Sequence, residues 1–270
     1  MVESGLTKFL LRFMTGLTLA FIYVPLVVIA LYAFNETRTQ RWPLGGLTFK
    51  WFEKAVNNPG VRDALLTSLK VAGGAMAIAL LLGTLASFAV QRYRFFGRET
   101  ISFLVILPIA LPGIVTGMAL NATFNTVLDP LGVGLGLFSV IVAHATFCIV
   151  VIYNNVIARL RRTSRSIEEA SMDLGADTWQ TFRFITFPQL RTALLAGGLL
   201  AFALSFDEII VTTFTAGAQK TLPIWILTNL SRPNQLPIVN VVAVIVILLS
   251  AIPVYIAQRL SQESGVLRSH

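Results

Sequence analysis

The chain has 270 residues, of which 55% are hydrophobic and only 13% charged, and its mean hydropathy is +0.75. A soluble protein of this size is nearer a quarter charged, so the composition excludes an ordinary soluble domain and points to the membrane. The formal net charge of +8 does not mark a nucleic-acid binder, because the basic residues sit at the ends of apolar runs rather than in a patch among aromatics.

A helix needs about 20 mostly apolar residues to cross a bilayer core of about 30 Å. Six stretches qualify, at 13–34, 64–90, 101–124, 136–157, 190–215 and 238–258. Runs of this length satisfy their backbone internally as helices, and no ten-residue alternation of a membrane barrel is present. The first run follows Lys8 and Arg12, yet it is longer than a signal-peptide core and no Ala-x-Ala site follows it, so an uncleaved membrane helix is expected. The 36–63 loop after it carries Trp42, Trp51 and Phe52, which suit an interfacial segment.

With both termini in the cytoplasm, thirteen basic residues lie inside (Arg268 in the tail among them) against seven outside, and Lys70 within a span completes the 21. The positive-inside rule favours this topology. Lys70 is expected to snorkel. In the third stretch Pro108 and Pro112 predict a kink, and Gly113 with Gly117 forms a small-xxx-small packing pair. In the fourth, His144 has no second ligand at helical spacing and reads as an interhelical hydrogen-bonding group rather than a metal ligand. Cys148, the single cysteine, lies in an apolar run and reads as a small buried hydrophobe.

Residues 164–188, within the long charged connection 158–189, read SRSIEEASMDLGADTWQTFRFITFP. Ser166 and Glu169 have capping-box spacing, and Ile167, Ala170, Ser171 and Leu174 recur at helical spacing. Gly175 is placed to end that helix in the left-handed conformation, Asp177 to cap a second short helix carrying Trp179, Phe182, Phe184 and Ile185, and Pro188 to open the next membrane helix. Two short amphipathic helices with a tight elbow are predicted.

This segment resembles the signature of the type I ABC importer permeases: Glu-Ala-Ala, three residues, Gly, nine residues, Ile-x-Leu-Pro. Here it stands as Glu169-Ala170-Ser171, Gly175 and Ile185-x-Phe187-Pro188, with every spacing kept and two apolar or small departures, Ser171 and Phe187. From Asp63 on, "DALLTSLKVA", "LPIALPGIVTGMAL", "AHATF", "NNVIARLRRTS", "EEASMDLGA" and "LSFDEIIVTTFTAG" look like the spermidine/putrescine (polyamine) branch of that family, and most like its second, PotC-type permease. The resemblance implies an all-α integral membrane protein with six transmembrane helices in the type I (MetI-like) permease fold and cytoplasmic coupling helices. It divides the chain into a first helix and external loop (1–62), a transmembrane domain (63–260) and a cytoplasmic tail (261–270). It implies a bacterial inner-membrane subunit that pairs with a second homologous permease, two ATP-binding subunits and an external polyamine-binding protein. ATP and magnesium would be bound by the partner ATPase, with no cofactor in this chain. The loop would dock on that ATPase through Glu168, Glu169, Ala170, Ser171, Asp173, Gly175 and Ala176, with Glu169 first for docking and Gly175 for the elbow.

Asp207 and Glu208 interrupt the fifth stretch, where an ionisable group is costly unless paired or hydrated. On a regular helix Glu208 shares a small, polar stripe with Gly197, Ala201, Ser205, Thr212 and Thr215, while Asp207 shares an apolar side with Leu200, Leu204, Val211 and Phe214. Two readings stand. Glu208, with Asp207, Ser205 and Thr212, lines a wet path and attracts a cation in transit. Alternatively, the Ser205–Glu208 capping spacing marks a break in the span where the acids satisfy backbone amides.

No G-x-x-x-x-G-K-[ST] loop occurs, so energy has to come from a partner. An ion-coupled secondary transporter would show related halves and acids at the midplane, and an intramembrane enzyme would need partners that His144 and Cys148 lack. Within the importer class, an amino acid, a metal chelate or an anion are the alternative cargoes.

Overall fold

The computed structural model describes the backbone of residues 5–266 and the side chains up to residue 250 together with Tyr255. Part of the tail expected at 261–270, with Arg268, lies outside these residues. The described residues are helical almost throughout and hold no strand, only an isolated bridge between Asn35 and Leu47. In chain order the helices are α1 (Gly5–Ala33), α2 (Lys50–Val56), α3 (Pro59–Arg92), α4 (Arg98–Ala110), α5 (Gly113–Thr123), α6 (Leu137–Arg162), α7 (Arg165–Asp173), α8 (Thr178–Thr181), α9 (Phe187–Asp207), α10 (Ile210–Thr215), α11 (Leu222–Leu230) and α12 (Leu236–Val266).

Among the described residues, α1, α3, α6 and the continuous rod Thr178–Asp207 are each long and apolar enough to cross a membrane. The third predicted stretch is not one straight crossing. It is a broken pair, Arg98–Ala110 and Gly113–Leu131, bent by 106°. Proline is the cause: Pro112 excludes the α conformation at the residue before it, and Leu111 is extended at φ −84°, ψ 144°. The sixth stretch falls in α12, where the apolar helix Leu236–Ser250 is the part open to description.

Contacts divide the chain into two units. One joins the N-terminal part up to Arg62 with Ile226–Leu249. In it α1 exposes Leu, Phe and Val side chains on all sides, as a lipid-facing helix does. The loop after α1 is organised by buried Asn35. Its amide donates to Thr37 Oγ1 and the Thr39 carbonyl, its side-chain oxygen accepts from Gly45 N–H, and its own carbonyl accepts from Trp51 Nε1 at 2.9 Å. Trp51, expected at an interface, is therefore a buried clasp, whereas Trp42 is exposed.

The second unit joins Asp63–Trp225 with the chain from Ser250 on, and α6 is its axis. Cys148, Ile152, Val156 and Leu160, each four residues apart, bury one face of α6 against Ala75 and Ala79 of α3 and Leu190 and Ala201 of α9. Lipid tails are as apolar as these side chains, so close packing of small residues rather than water exclusion holds such helices together. Gly83 of α3 shows how close: a Cβ there would meet Ile152 Cβ at 2.9 Å and the Ile149 carbonyl oxygen at 3.0 Å. Gly83→Val should cost about 1–3 kcal/mol through overpacking against backbone that cannot yield. Thermal unfolding in detergent measures it, and an unchanged midpoint would contradict the α3–α6 approach. Lys70 is exposed.

Candidate functional site

The loop between α6 and α9 forms an elbow. Ser164, not Ser166, is the N-cap of α7, its hydroxyl accepting from Ser166 N–H at 3.3 Å. The serine two residues earlier takes the role because it already has the extended conformation of a cap, φ −66°, ψ 133°. Glu169 instead pairs with Arg165 one turn back at 3.1 Å, on the exposed side. Gly175 ends α7 at φ +92°. Ala176 N–H donates to the Ser171 carbonyl and Gly175 N–H to that of Met172, the paired bonds of a Schellman motif. Asp177 then starts the next helix with a reciprocal box, accepting from Gln180 N–H at 2.7 Å while Gln180 Oε1 accepts from Asp177 N–H at 2.9 Å.

The second predicted amphipathic helix is not separate. From Thr178 the chain runs through α8, a π-helical turn (Phe182–Thr186) and α9 as one rod, with Pro188 the second residue of α9, just after the π-turn. Any movement of the elbow therefore acts directly on a membrane helix.

The set of residues expected to dock is split between two sides of α7. Ile167, Ala170 and Leu174 are exposed, Leu174 at 90%, and so are Glu169, Met172 and Asp173. The inward side carries Glu168 and Ser171. Glu168 Oε1 accepts from Arg92 Nη2 at 2.9 Å and from Thr186 Oγ1 at 3.0 Å, and Ser171 Oγ lies 3.3 Å from Thr181 Oγ1. Arg92 and Thr186 were not among the candidates. An arginine closing a membrane helix reads in sequence as a topology signal, and nothing local ties it to a residue 76 positions on.

The fifth stretch breaks where the acids stand. α9 ends at Asp207, Glu208 is extended at φ −71°, ψ 124°, and α10 restarts at Ile210. Glu208 Oε1 accepts from Val211 N–H at 2.9 Å, so its carboxylate caps the new helix. It is half-buried, and Asp207 is exposed. Ser205 and Thr212, one on each side of the break, are buried and do not line an open face of this chain. They hold His144 of α6 between them, Nδ1 2.8 Å from Ser205 Oγ and Nε2 2.9 Å from Thr212 Oγ1. His144 is thus the interhelical bridge its sequence context suggests. Cys148 is buried, its thiol directed at the Ala201 carbonyl.

The second halves of the two broken helices meet. A Cβ at Gly117 of α5 would lie 2.9 Å from Phe214 of α10, one at Gly113 would touch Ile210 and Val211, and Asn121 Nδ2 donates to the Phe214 carbonyl at 2.6 Å. From the other side Ser139 of α6 donates to the Thr215 carbonyl at 2.7 Å. Among the described residues no group of three or more His, Cys, Asp or Glu side chains is placed to hold a metal.

Residues 79–264 match the family model described as the binding-protein-dependent transport system inner membrane component. The chain is 32% identical over 232 residues to the putrescine transport system permease protein PotI of Escherichia coli (strain K12), covering 84% of this chain and 82% of that one. It is 31% identical over 248 residues to the spermidine/putrescine transport system permease protein PotC of Haemophilus influenzae, covering 91% and 94% respectively. Among solved structures, it superposes on a chain of a bacterial ABC transporter involved in import of the acidic polysaccharide alginate, with a TM-score of 0.70 at 16% identity, covering 97% of this chain and 99% of that one; this likeness concerns the fold alone.

Proposed function

This chain belongs to the binding-protein-dependent transport inner-membrane components, and from that premise we propose that it forms half of the path by which an ATP-driven ABC importer moves putrescine or spermidine across the bacterial inner membrane. In this reading it pairs with a second, homologous permease, receives cargo from an external binding protein and takes work from one of the complex's two ATP-binding subunits, docked on α7. Both termini lie in the cytoplasm. The observation that carries the docking reading is the outward face of α7, where Ile167, Met172 and Leu174 expose apolar surface that the described residues do not cover, beside Glu169 and Asp173. The polyamine reading rests on the cargo named for PotI and PotC.

The test is uptake into proteoliposomes holding the complete complex with its binding protein. Labelled putrescine or spermidine should enter only with ATP, and entry should survive collapse of the proton gradient. Import of an amino acid, a chelate or an anion in preference would overturn the cargo, and ATP-independent import the mechanism.

Asp207 and Glu208 supply negative charge beside the break, and a polyamine is an extended cation whose lost hydration carboxylates can replace. Glu208→Gln keeps an oxygen for Val211 N–H and removes only the charge. Uptake well below saturation should fall about three- to tenfold, the worth of one charge-assisted contact. An unchanged rate would leave Glu208 as a helix cap and nothing more.

A further inference from the structure

We infer that Glu168 is a positioning residue that couples α7 to two membrane helices, and that it does not dock on the ATPase. This deepens the proposed function and rests on the reading of α7 as the docking helix. Glu168 and its neighbour Glu169 look equivalent in sequence, but the fold uses them oppositely. Among the described residues Glu169 is exposed and held only by Arg165 on its own helix, so it can meet a partner. Glu168 points inward, where one oxygen accepts both from Arg92 at the end of α3 and from Thr186 in the turn that leads into α9. The side chains of Arg92 and Glu168 are only 12% and 14% exposed, and Thr186 is buried.

The arrangement is a tether and not a surface ion pair. Surface pairs are loose because water competes for both partners and salt screens them. Here water is largely excluded. The buried Arg92 Nε has no partner, so the guanidinium depends on the single Nη2 contact to Glu168 among the described residues. A push on the outer face of α7 therefore reaches α3 through Arg92 and the α9 rod through Thr186, with Ser171 and Thr181 adding a second, weaker link. Two helices of the membrane unit are moved by one carboxylate.

Full complexes carrying Glu168→Gln, Arg92→Gln and the exchanged pair Arg92→Glu with Glu168→Arg test this against Glu169→Gln. Three quantities are read: retention of the ATPase subunit on purification, cargo imported per ATP hydrolysed, and the ATP-dependent change in hydrogen exchange at residues 84–92 and 186–190. Glu168→Gln and Arg92→Gln should keep the ATPase subunit, lower import per ATP about fivefold, within the range seen for coupling networks, and abolish the exchange response in both segments. The exchanged pair should recover most of it, which a general loss of stability would not. Loss of the ATPase subunit in Glu168→Gln, or exchange responses like those of the unaltered complex, would overturn the inference. The exchange measurement involves no cargo, so it decides the role of Glu168 even if the unaltered complex imports something other than a polyamine.

Discussion

Gly175→Val is expected to abolish ATP-driven uptake while leaving the chain inserted and the membrane helices folded. At φ +92° glycine has no Cβ to bring against the following carbonyl, and an L-residue in the left-handed region costs about 1–2 kcal/mol, more when β-branched. Beyond Gly175 and its two chain neighbours no atom lies within 4 Å of where the Cβ would stand, so the penalty is conformational and cannot be relieved by moving a packed side chain. It is relieved by opening the elbow. That breaks the two bonds closing α7, from Ala176 and Gly175 to the Ser171 and Met172 carbonyls, and swings α7 away from the Asp177 cap two residues on. A docking helix must be presented at a fixed angle, so a change that is modest in energy should cost more than about tenfold in coupled transport, since 1.4 kcal/mol of misplacement is already a factor of ten. Gly175→Asn, which tolerates the left-handed region, should retain a substantial part. Uptake and ATPase-subunit retention measured side by side decide the matter, and wild-type uptake in Gly175→Val would remove the elbow from the mechanism.

The elbow was legible in the sequence because its parts are local. A glycine after an amphipathic run and an aspartate two residues later each act on backbone within a few positions, and the structure realises both; Pro188 stands at the second residue of α9, but inside a rod that has already begun at Thr178. Pro112 is local in the same way, and the bend it predicts is there. The cap at Ser164 was missed because Ser164 and Ser166 both have a hydroxyl, and only the backbone conformation distinguishes them. Periodicity groups an apolar side of α7 but does not say which way it faces. A helix that serves a partner turns apolar residues outward and keeps a few polar ones, here Glu168 and Ser171, for its own chain. The break at Glu208 was one of two readings. Capping-box spacing on its own cannot say whether the amides it offers to satisfy are free, and in α10 one of them, Val211 N–H, is taken by Glu208. A single sequence suggests that His144 bridges helices, but it does not name the partners, Ser205 and Thr212, nor join Arg92 to Glu168.

His144→Leu should be among the most destabilising single changes in the membrane unit. The ring is fully buried, and each nitrogen faces one hydroxyl. Thr212 Oγ1 already donates to the Glu208 carbonyl at 2.7 Å, so it has only lone pairs left and must accept from Nε2–H. In the neutral ring Nδ1 is then the acceptor, and Ser205 O–H donates to it. One imidazole thus joins the last turn of α9 to the first turn of α10, on either side of a backbone break at Glu208. Leucine fills the volume but leaves the Ser205 hydroxyl without its acceptor and Thr212 without its donor. Thr212 keeps its bond to the Glu208 carbonyl, so one stranded hydroxyl and one lost donor cost roughly 2–4 kcal/mol together, allowing for the smaller hydrogen-bond energies found between membrane helices. The apparent melting point should drop by about 5–10 °C. Replacing all three groups by apolar ones, as His144→Leu with Ser205→Ala and Thr212→Val, removes both stranded hydroxyls at the cost of the Thr212 bond to the Glu208 carbonyl, and should restore most of the melting point. Uptake should stay low in that triple variant, because packing alone does not fix the angle at which α10 leaves the break and meets Gly117 and Asn121 of α5. If the triple variant transported as well as it folded, the histidine bridge would be a matter of stability only, and the geometry of the break would have to be held by Glu208 and its bond to Val211.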